Sequence, residues 1–197
     1  MKNLLLASSS KPRQEILARL QIPFSSFSPN IDESQLANET AYDLVKRLSI
    51  EKAKEGAKHY PEHLCIGGDQ IALIANTDEI LGKPHTYENA VQQLERCSKK
   101  TIFFLAGICL YNPTNQNCHI DIVSTEVVFR DLTREEIDVY LSIDKPYHCA
   151  GSFKSESLGI SLSSKMLSSD PTAIVGLPLI SLRRFLVKEN FNFKMQT

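Results

Sequence analysis

The chain has 197 residues, 42% of them hydrophobic, which is enough to bury the core of one domain or of two small ones. Its formal net charge of −1 provides no global attraction for nucleic acid or acidic membranes. The apolar run at residues 4–7 is too short for an export signal, and no stretch approaches the roughly 20 apolar residues of a membrane span. We therefore expect a cytoplasmic protein without nucleic-acid or membrane partners, in which any anion site is built locally.

Apolar residues recur with strand and helix periods, and threonines stand at the predicted starts of three helices. In chain order we predict a strand over 3–8, a helix from about 12, a strand over 24–27, a helix from 40 to 57 and a strand over 64–67 that Gly68 and Asp69 end. There follow a hairpin of 71–74 and 79–81 around Asn76, Thr77 and Asp78, a helix over 87–98, paired strands over 102–111 and 120–129, a helix from 133 to 141, a loop over 145–158 and a helix over 178–188. The alternation predicts an α/β fold, with residues 1–197 in one domain around an elongated mixed sheet. The domain is either undivided or made of two lobes with the site in the cleft.

The opening stretch LASSSKPRQEIL places three serines between a strand and the start of a helix. Helix N–H groups, the helix dipole, the hydroxyl of Ser8 and the guanidinium of Arg13 are the components of a phosphate site. In a simpler interpretation Ser10 only caps the helix and Arg13 is solvated, and this stretch alone leaves both open. It is not a P-loop, because it has no glycine and no G-K-[ST] sequence.

Two acids stand out from the other carboxylates. Asp69 follows two glycines at the end of a predicted buried strand, in CIGGDQ, where α/β folds place ligands and catalytic groups. Glu33 lies in the polar loop PNIDES. Such acids can hold Mg²⁺, which binds one or two carboxylates together with substrate phosphates. The alternative for Asp69 is a turn residue that accepts hydrogen bonds from nearby N–H groups.

Three lysines accompany these acids along the chain. Lys52 lies on the long helix, Lys83 in the tight turn LGKP, and Lys154 in AGSFKSESLG. The simplest interpretation of Lys52 is an exposed charge, and each of the three lysines alone is weak evidence for a site. Together with the arginine and the two acids they would form a site for a polyphosphate and a metal ion, although their spacing does not show that they meet.

The five cysteines have no C-x-x-C spacing and their number is odd, which disfavours a zinc site or a disulfide framework. Cys149 beside His148 fits a thiol nucleophile only weakly, because neighbours in sequence rarely form a catalytic pair.

Six short motifs occur in order: LASSSKPRQEIL, PNIDES, EKA, GGDQ, GKP and GLPL. This set resembles the Maf family of nucleotide pyrophosphatases, nearly end to end and with that family's spacing. GDQ with HCAGSFKSESLGI and DPTAIVGLPL is similar to the subgroup that acts on 7-methyl-GTP. The family opening, S-x-S-P-x-R, differs here, because Lys11 follows the serines and Pro12 takes a position that influences base preference.

The resemblance implies hydrolysis between the α- and β-phosphates of a nucleoside triphosphate, which releases the monophosphate and pyrophosphate. It also implies a divalent metal, Mg²⁺ or Mn²⁺, a fold similar to the inosine triphosphatases, and a possible homodimer. The matching positions are Asp69 as proton acceptor, Glu33 with Asp69 for the metal, Ser8, Arg13, Lys52 and Lys83 for phosphate, and Pro12, Gln70 and Lys154 for base choice. Two alternatives stay open: specificity for dTTP and UTP, and a catalytically silent nucleotide-binding regulator of cell division. The retained Asp69 argues against the silent regulator, because a pure binder needs no water-activating carboxylate.

Overall fold

The computed structural model of the chain describes residues 3–77 and 79–191. Its strands and helices are β1 (Asn3–Leu6), α1 (Lys11–Ala18), β2 (Phe24–Ser26), α2 (Ala41–His59), β3 (His63–Ile74), β4 (Ile80–Leu81), α3 (Tyr87–Cys97), β5 (Thr101–Asn112), β6 (Asn117–Phe129), α4 (Arg134–Asp144), β7 (Ser163–Ser168) and α5 (Leu179–Lys188). Short 3₁₀ helices span Ala150–Ser152, Leu158–Leu162 and Ala173–Val175. The predicted α/β class is confirmed.

Seven strands form one mixed sheet in the order β2-β1-β3-β5-β6-β7, and β4 pairs with β3 outside this path. β1 pairs in parallel with β2 and β3, whereas the β3–β4 and β6–β7 pairs are antiparallel. A parallel strand covered on both faces needs apolar side chains in both directions. The LLL run of β1 meets this need: Leu4 and Leu6 pack with residues of α1 and α5, and Leu5 packs with Ala57 of α2.

The chain divides into two compact units. The first comprises residues 3–69, 106–123 and 170–191 of the described chain, and a hydrophobic core lies there between the sheet and helices α1 and α5. The second comprises Gln70–Leu105 and Ser124–Ser169. There Phe153 packs against Phe104 and Phe129, and α3 contacts α4. The organisation into one domain with its site in a cleft stays a prediction.

Strand β3 corrects one prediction, because it runs without interruption through Gly67, Gly68 and Asp69. These glycines do not end the strand. A side chain at Gly67 would collide with the backbone of Ser49 and Ala53, so the bare glycine lets helix α2 lie directly against β3. Gly67 therefore serves a close contact between a helix and a strand, which can require a glycine just as a turn does.

The helix starts follow the sequence closely. The side chains of Thr40, Thr86 and Thr133 each accept a hydrogen bond from the N–H three residues ahead, and Thr133 forms a full capping box with Glu136. The strands differ more: β6 begins at Asn117 rather than at 120, and β7 was not predicted. Asp78, in the predicted hairpin turn, lies outside the described residues.

Candidate active site

A buried lysine lies between two carboxylates in the first unit. The Nζ atom of Lys52 is 2.7 Å from Oδ1 of Asp69 and 2.8 Å from Oε1 of Glu33. Lys52 and Asp69 are 6% and 7% exposed, whereas 49% of the Glu33 side chain faces solvent. The interpretation of Lys52 as an exposed charge is therefore wrong, and three predicted site residues meet in a cluster with one open side.

The close packing of α2 places Lys52 in this cluster. Ala53 and Gly56 lie on the buried face of the same helix, and a Cβ at Gly56 would stand 2.9 Å from Cδ2 of Leu5. With small residues on this face, the helix axis approaches the sheet closely. The long side chain of Lys52 then reaches the carboxylate of Asp69 on β3.

Arg13 joins the same cluster from helix α1. Its Nη1 atom donates a hydrogen bond to the carbonyl oxygen of Gly68, at 2.8 Å. Burial lowers the pKa of Arg13 from its ordinary value, while the negative charges of Asp69 and Glu33 act in the opposite direction. Arg13 is therefore half-buried and hydrogen-bonded to the strand, and its role in phosphate binding stays a prediction.

The serines of the opening stretch cap the helix and also line its start. Ser10 is the N-cap of α1, and its Oγ accepts from the N–H of Arg13 at 3.5 Å. Ser8 is buried, and its Oγ accepts from the N–H of Ser10 at 3.2 Å. Because the Ser8 oxygen acts as the acceptor there, its hydroxyl proton is available as a donor.

The charges of this cluster balance in the absence of a ligand. Two cations, Lys52 and Arg13, face two carboxylates, Glu33 and Asp69, so a triphosphate needs a further positive charge. Within residues 3–77 and 79–191, no three or more His, Cys, Asp or Glu side chains form a group that would hold a metal ion. Magnesium needs only one or two carboxylates when phosphates supply the other oxygens, so the two acids fit such an ion.

Comparison with known proteins bears on what this cluster does. The chain matches the family described as Maf-like protein over residues 3–189. It belongs to the Maf family. A relative from Pseudomonas savastanoi pv. phaseolicola named 7-methyl-GTP pyrophosphatase is 49% identical over 96% of this chain and 97% of its own length. Relatives with the same name from Pseudomonas aeruginosa, 48% identical over 96% and 97%, and from Pseudoalteromonas translucida, 47% identical over 94% and 91%, are also similar. The resemblance to this family is confirmed.

The remaining predicted site residues of this Maf chain are spread over both units. Pro12 lies in the first turn of α1, and Gln70 follows Asp69 on β3. Lys83 is exposed, two residues after β4, and Lys154 donates its backbone N–H to Oη of Tyr140 at 3.0 Å. Gln70, Lys83 and Lys154 belong to the second unit, and their roles stay predictions.

Cys149 lacks the environment of a nucleophile. It is partly buried, and burial together with the negative charge of Glu156 raises the pKa of its thiol to about 11. A nucleophilic cysteine needs a stabilised thiolate, so this finding agrees with the low weight that the sequence gave to Cys149. All five cysteines are free.

Two features of this Maf chain were missed by sequence reasoning. Ser49 contacts the backbone of Asp69, and Gly67 admits helix α2. A signal for Ser49 was present, because it is a polar residue inside the apolar stripe that includes Val45 and Leu48. In addition, no helix in the described part of the chain combines the length and the apolar character needed to cross a membrane.

Proposed function

We propose that this Maf protein hydrolyses 7-methyl-GTP between its α- and β-phosphates, giving 7-methyl-GMP and pyrophosphate. The observation that carries the proposal is the cluster of Lys52, Asp69 and Glu33, with two buried members and one open side. The relatives named 7-methyl-GTP pyrophosphatase support the choice of nucleotide, since they align over nearly the whole chain.

Asp69 is the proposed proton acceptor. One of its oxygens accepts a hydrogen bond from Lys52, and this bond holds the carboxylate in place. The carboxylate takes a proton from the water that attacks the α-phosphorus, and pyrophosphate leaves with the electrons of the broken P–O bond. A positioned base of this kind contributes typically 10²- to 10⁴-fold to a rate.

The proposed phosphate ligands are cationic or hydroxylic. Ser8 and Arg13 lie at the start of α1, where helix N–H groups also favour an anion. Lys52 and Lys83 would offset the charge that builds up on the phosphates as the bond breaks. Phosphoryl transfer depends mainly on positioning and electrostatic stabilisation, which these residue types supply.

A divalent cation completes the proposal. Glu33 and Asp69 would hold it, and the ion would supply positive charge beyond that of Lys52 and Arg13, which the two carboxylates already balance. Pro12, Gln70 and Lys154 are the proposed determinants of base choice, on their match to the family positions. Homodimer formation and a cytoplasmic location are further expectations.

The test is pyrophosphate release from a panel of 7-methyl-GTP, GTP, dTTP, UTP and ITP, with Mg²⁺ or Mn²⁺ and with a chelator. We expect a strong preference for 7-methyl-GTP and loss of activity with the chelator. Preference for dTTP or UTP would keep the mechanism and overturn the base assignment. No release from any nucleotide, in protein shown to be folded, would instead favour a binding-only role.

A further inference from the structure

The peptide group between Gly68 and Asp69 is held at both of its polar ends by helix side chains. Its carbonyl oxygen accepts from Nη1 of Arg13 at 2.8 Å, and its N–H donates to Oγ of Ser49 at 3.1 Å. Arg13 belongs to α1 and Ser49 to α2. This peptide leads directly to the Asp69 side chain, so its orientation determines where the carboxylate points.

The hydroxyl of Ser49 has a fixed orientation. Ser49 is fully buried, and its Oγ donates to the carbonyl oxygen of Val45 at 2.7 Å. A hydroxyl has one proton, so this bond leaves a lone pair of Oγ for the N–H of Asp69. The surroundings are equally tight, because a Cβ at Gly107 would collide with this Oγ and a Cβ at Gly67 with the Ser49 backbone.

Ser49 and Lys52 also lie less than one turn apart on the same helix. Helix α2 therefore contacts Asp69 twice, at the backbone through Ser49 and at the carboxylate through Lys52. Two contacts from one rigid element define both the position and the direction of the side chain, whereas the lysine contact alone allows the carboxylate to pivot.

We propose that Ser49 is a positioning residue that aims the Asp69 carboxylate at the attacking water. The inference rests on the proposed function of Asp69 as proton acceptor. Ser49 acts only through Asp69 and does not touch the nucleotide. Small misplacements of a reacting group cost up to about 100-fold in rate. Loss of the hydroxyl therefore lowers kcat and leaves the KM for the nucleotide nearly unchanged.

The experiment compares Ser49→Ala with Ser181→Ala, in the wild-type and in the Asp69→Asn background. Ser181 is the matched control, since it is also a buried helix serine of the first unit, and its Oγ donates to Asp121. We expect Ser49→Ala to lower kcat roughly 10- to 100-fold with KM unchanged, and Ser181→Ala to leave both constants unchanged. In the Asp69→Asn background, Ser49→Ala should cause little further loss, because the carboxylate that it positions is already gone.

Three outcomes would overturn the inference: wild-type kcat in Ser49→Ala, a loss confined to KM, or an equal loss in both backgrounds. If Ser49→Ala does not fold by circular dichroism, Ser49→Cys carries the test. Its thiol has a similar shape but is a weaker acceptor, so kcat should fall with KM retained, and a wild-type kcat would contradict the proposal.

Failure of the proposed function is recognised separately. It would be seen as absence of pyrophosphate release by the wild type, or as wild-type turnover by Asp69→Asn. If the wild type is active, Asp69→Asn is impaired and Ser49→Ala behaves like Ser181→Ala, the role of Ser49 alone is wrong.

Discussion

Two of the buried charged residues of the first unit, Lys52 and Glu189, are balanced in different ways. Lys52 is paired with two carboxylates, one of which is half exposed. Glu189 follows helix α5 with only 2% of its side chain exposed. It accepts hydrogen bonds from Nδ2 of Asn112 at 2.5 Å and Nδ2 of Asn117 at 2.9 Å, and lies 2.8 Å from Nε2 of His119.

The partners indicate what each cluster can do. The amides around Glu189 lie at the turn between β5 and β6. The carboxylate therefore joins the end of α5 to that hairpin by hydrogen bonds. The donors described for Glu189 are side-chain amides and an imidazole, and its own carboxylate is almost fully buried. The ammonium of Lys52 has charged partners and an open side at Glu33. A phosphate can therefore take the place of a carboxylate at the ammonium, and a metal ion can take the place of the ammonium at the carboxylates. One cluster is suited to stability and the other to binding.

The largest expected effect comes from removing the negative charge at Asp69. Asp69→Asn should lower kcat roughly 10²- to 10⁴-fold while the thermal unfolding temperature changes little, because the amide oxygen can still accept from Lys52. Pyrophosphate release and circular dichroism measure the two quantities. Asp121→Asn is the matched control, because Asp121 of β6 accepts from the N–H of Ile122 and from Ser181 and Arg184 of α5, and its turnover should be normal. Near-normal turnover in Asp69→Asn would contradict the assignment of the Lys52 cluster to binding and catalysis.

Removal of the Glu189 carboxylate should have the opposite result, a loss of stability without a loss of turnover. Glu189→Ala leaves the buried amide of Asn112 and the more exposed Asn117 and His119 without their acceptor, and we expect a loss of about 2 kcal/mol in the free energy of unfolding. Urea denaturation measures this loss, and kcat well below the transition should stay close to the wild-type value. Glu62→Ala removes an exposed carboxylate of the same unit as a control and should cost little. A large fall in kcat in folded Glu189→Ala would show that this cluster also serves catalysis.

A third change tests whether the lysine cluster depends on close helix packing. Gly67→Ala places a methyl group against the backbone of Ser49 and Ala53, and should cost about 2 kcal/mol of stability. Relief of this clash displaces α2 and with it Lys52, so kcat should fall as well. Gly82→Ala is the control, since its added Cβ meets no atom within 4 Å. If Gly67→Ala lost stability alone, the position of Lys52 would not depend on this contact.

Local signals predicted much of the fold. Threonine caps and the apolar runs of β1, α2 and β5 depend on neighbouring residues, and the structure has these elements close to the predicted bounds. Strand β7 was missed because its sequence, SSKMLS, has mostly exposed or half-buried residues and no apolar alternation. The break in β3 was predicted wrongly because a glycine looks the same at a turn and beneath a helix.

The site was predictable in its residue types but not in its environment. Lysine is usually exposed, and nothing in the order of residues on α2 shows that small side chains bring Lys52 to a buried carboxylate. Likewise, the bond between Ser49 and the backbone of Asp69 joins residues 20 positions apart. Such contacts follow from the packing of α2 on β3, which a pattern of single residues does not encode.

The smallest expected effect concerns a charge outside both clusters. Lys83 is exposed, so Lys83→Ala should leave the unfolding temperature unchanged, because an exposed lysine contributes little to stability. If its ammonium binds the triphosphate, kcat/KM should nevertheless fall roughly tenfold, the lower end of what a hydrogen bond to a charged group contributes. Lys165→Ala removes an equally exposed charge of the same unit and should have no kinetic effect. If Lys83→Ala matched Lys165→Ala, the phosphate contact would be wrong. A loss confined to Lys83→Ala would mean that the nucleotide is also bound by a cation that has no part in the stability of the fold. The buried Lys52 is not a cation of that kind.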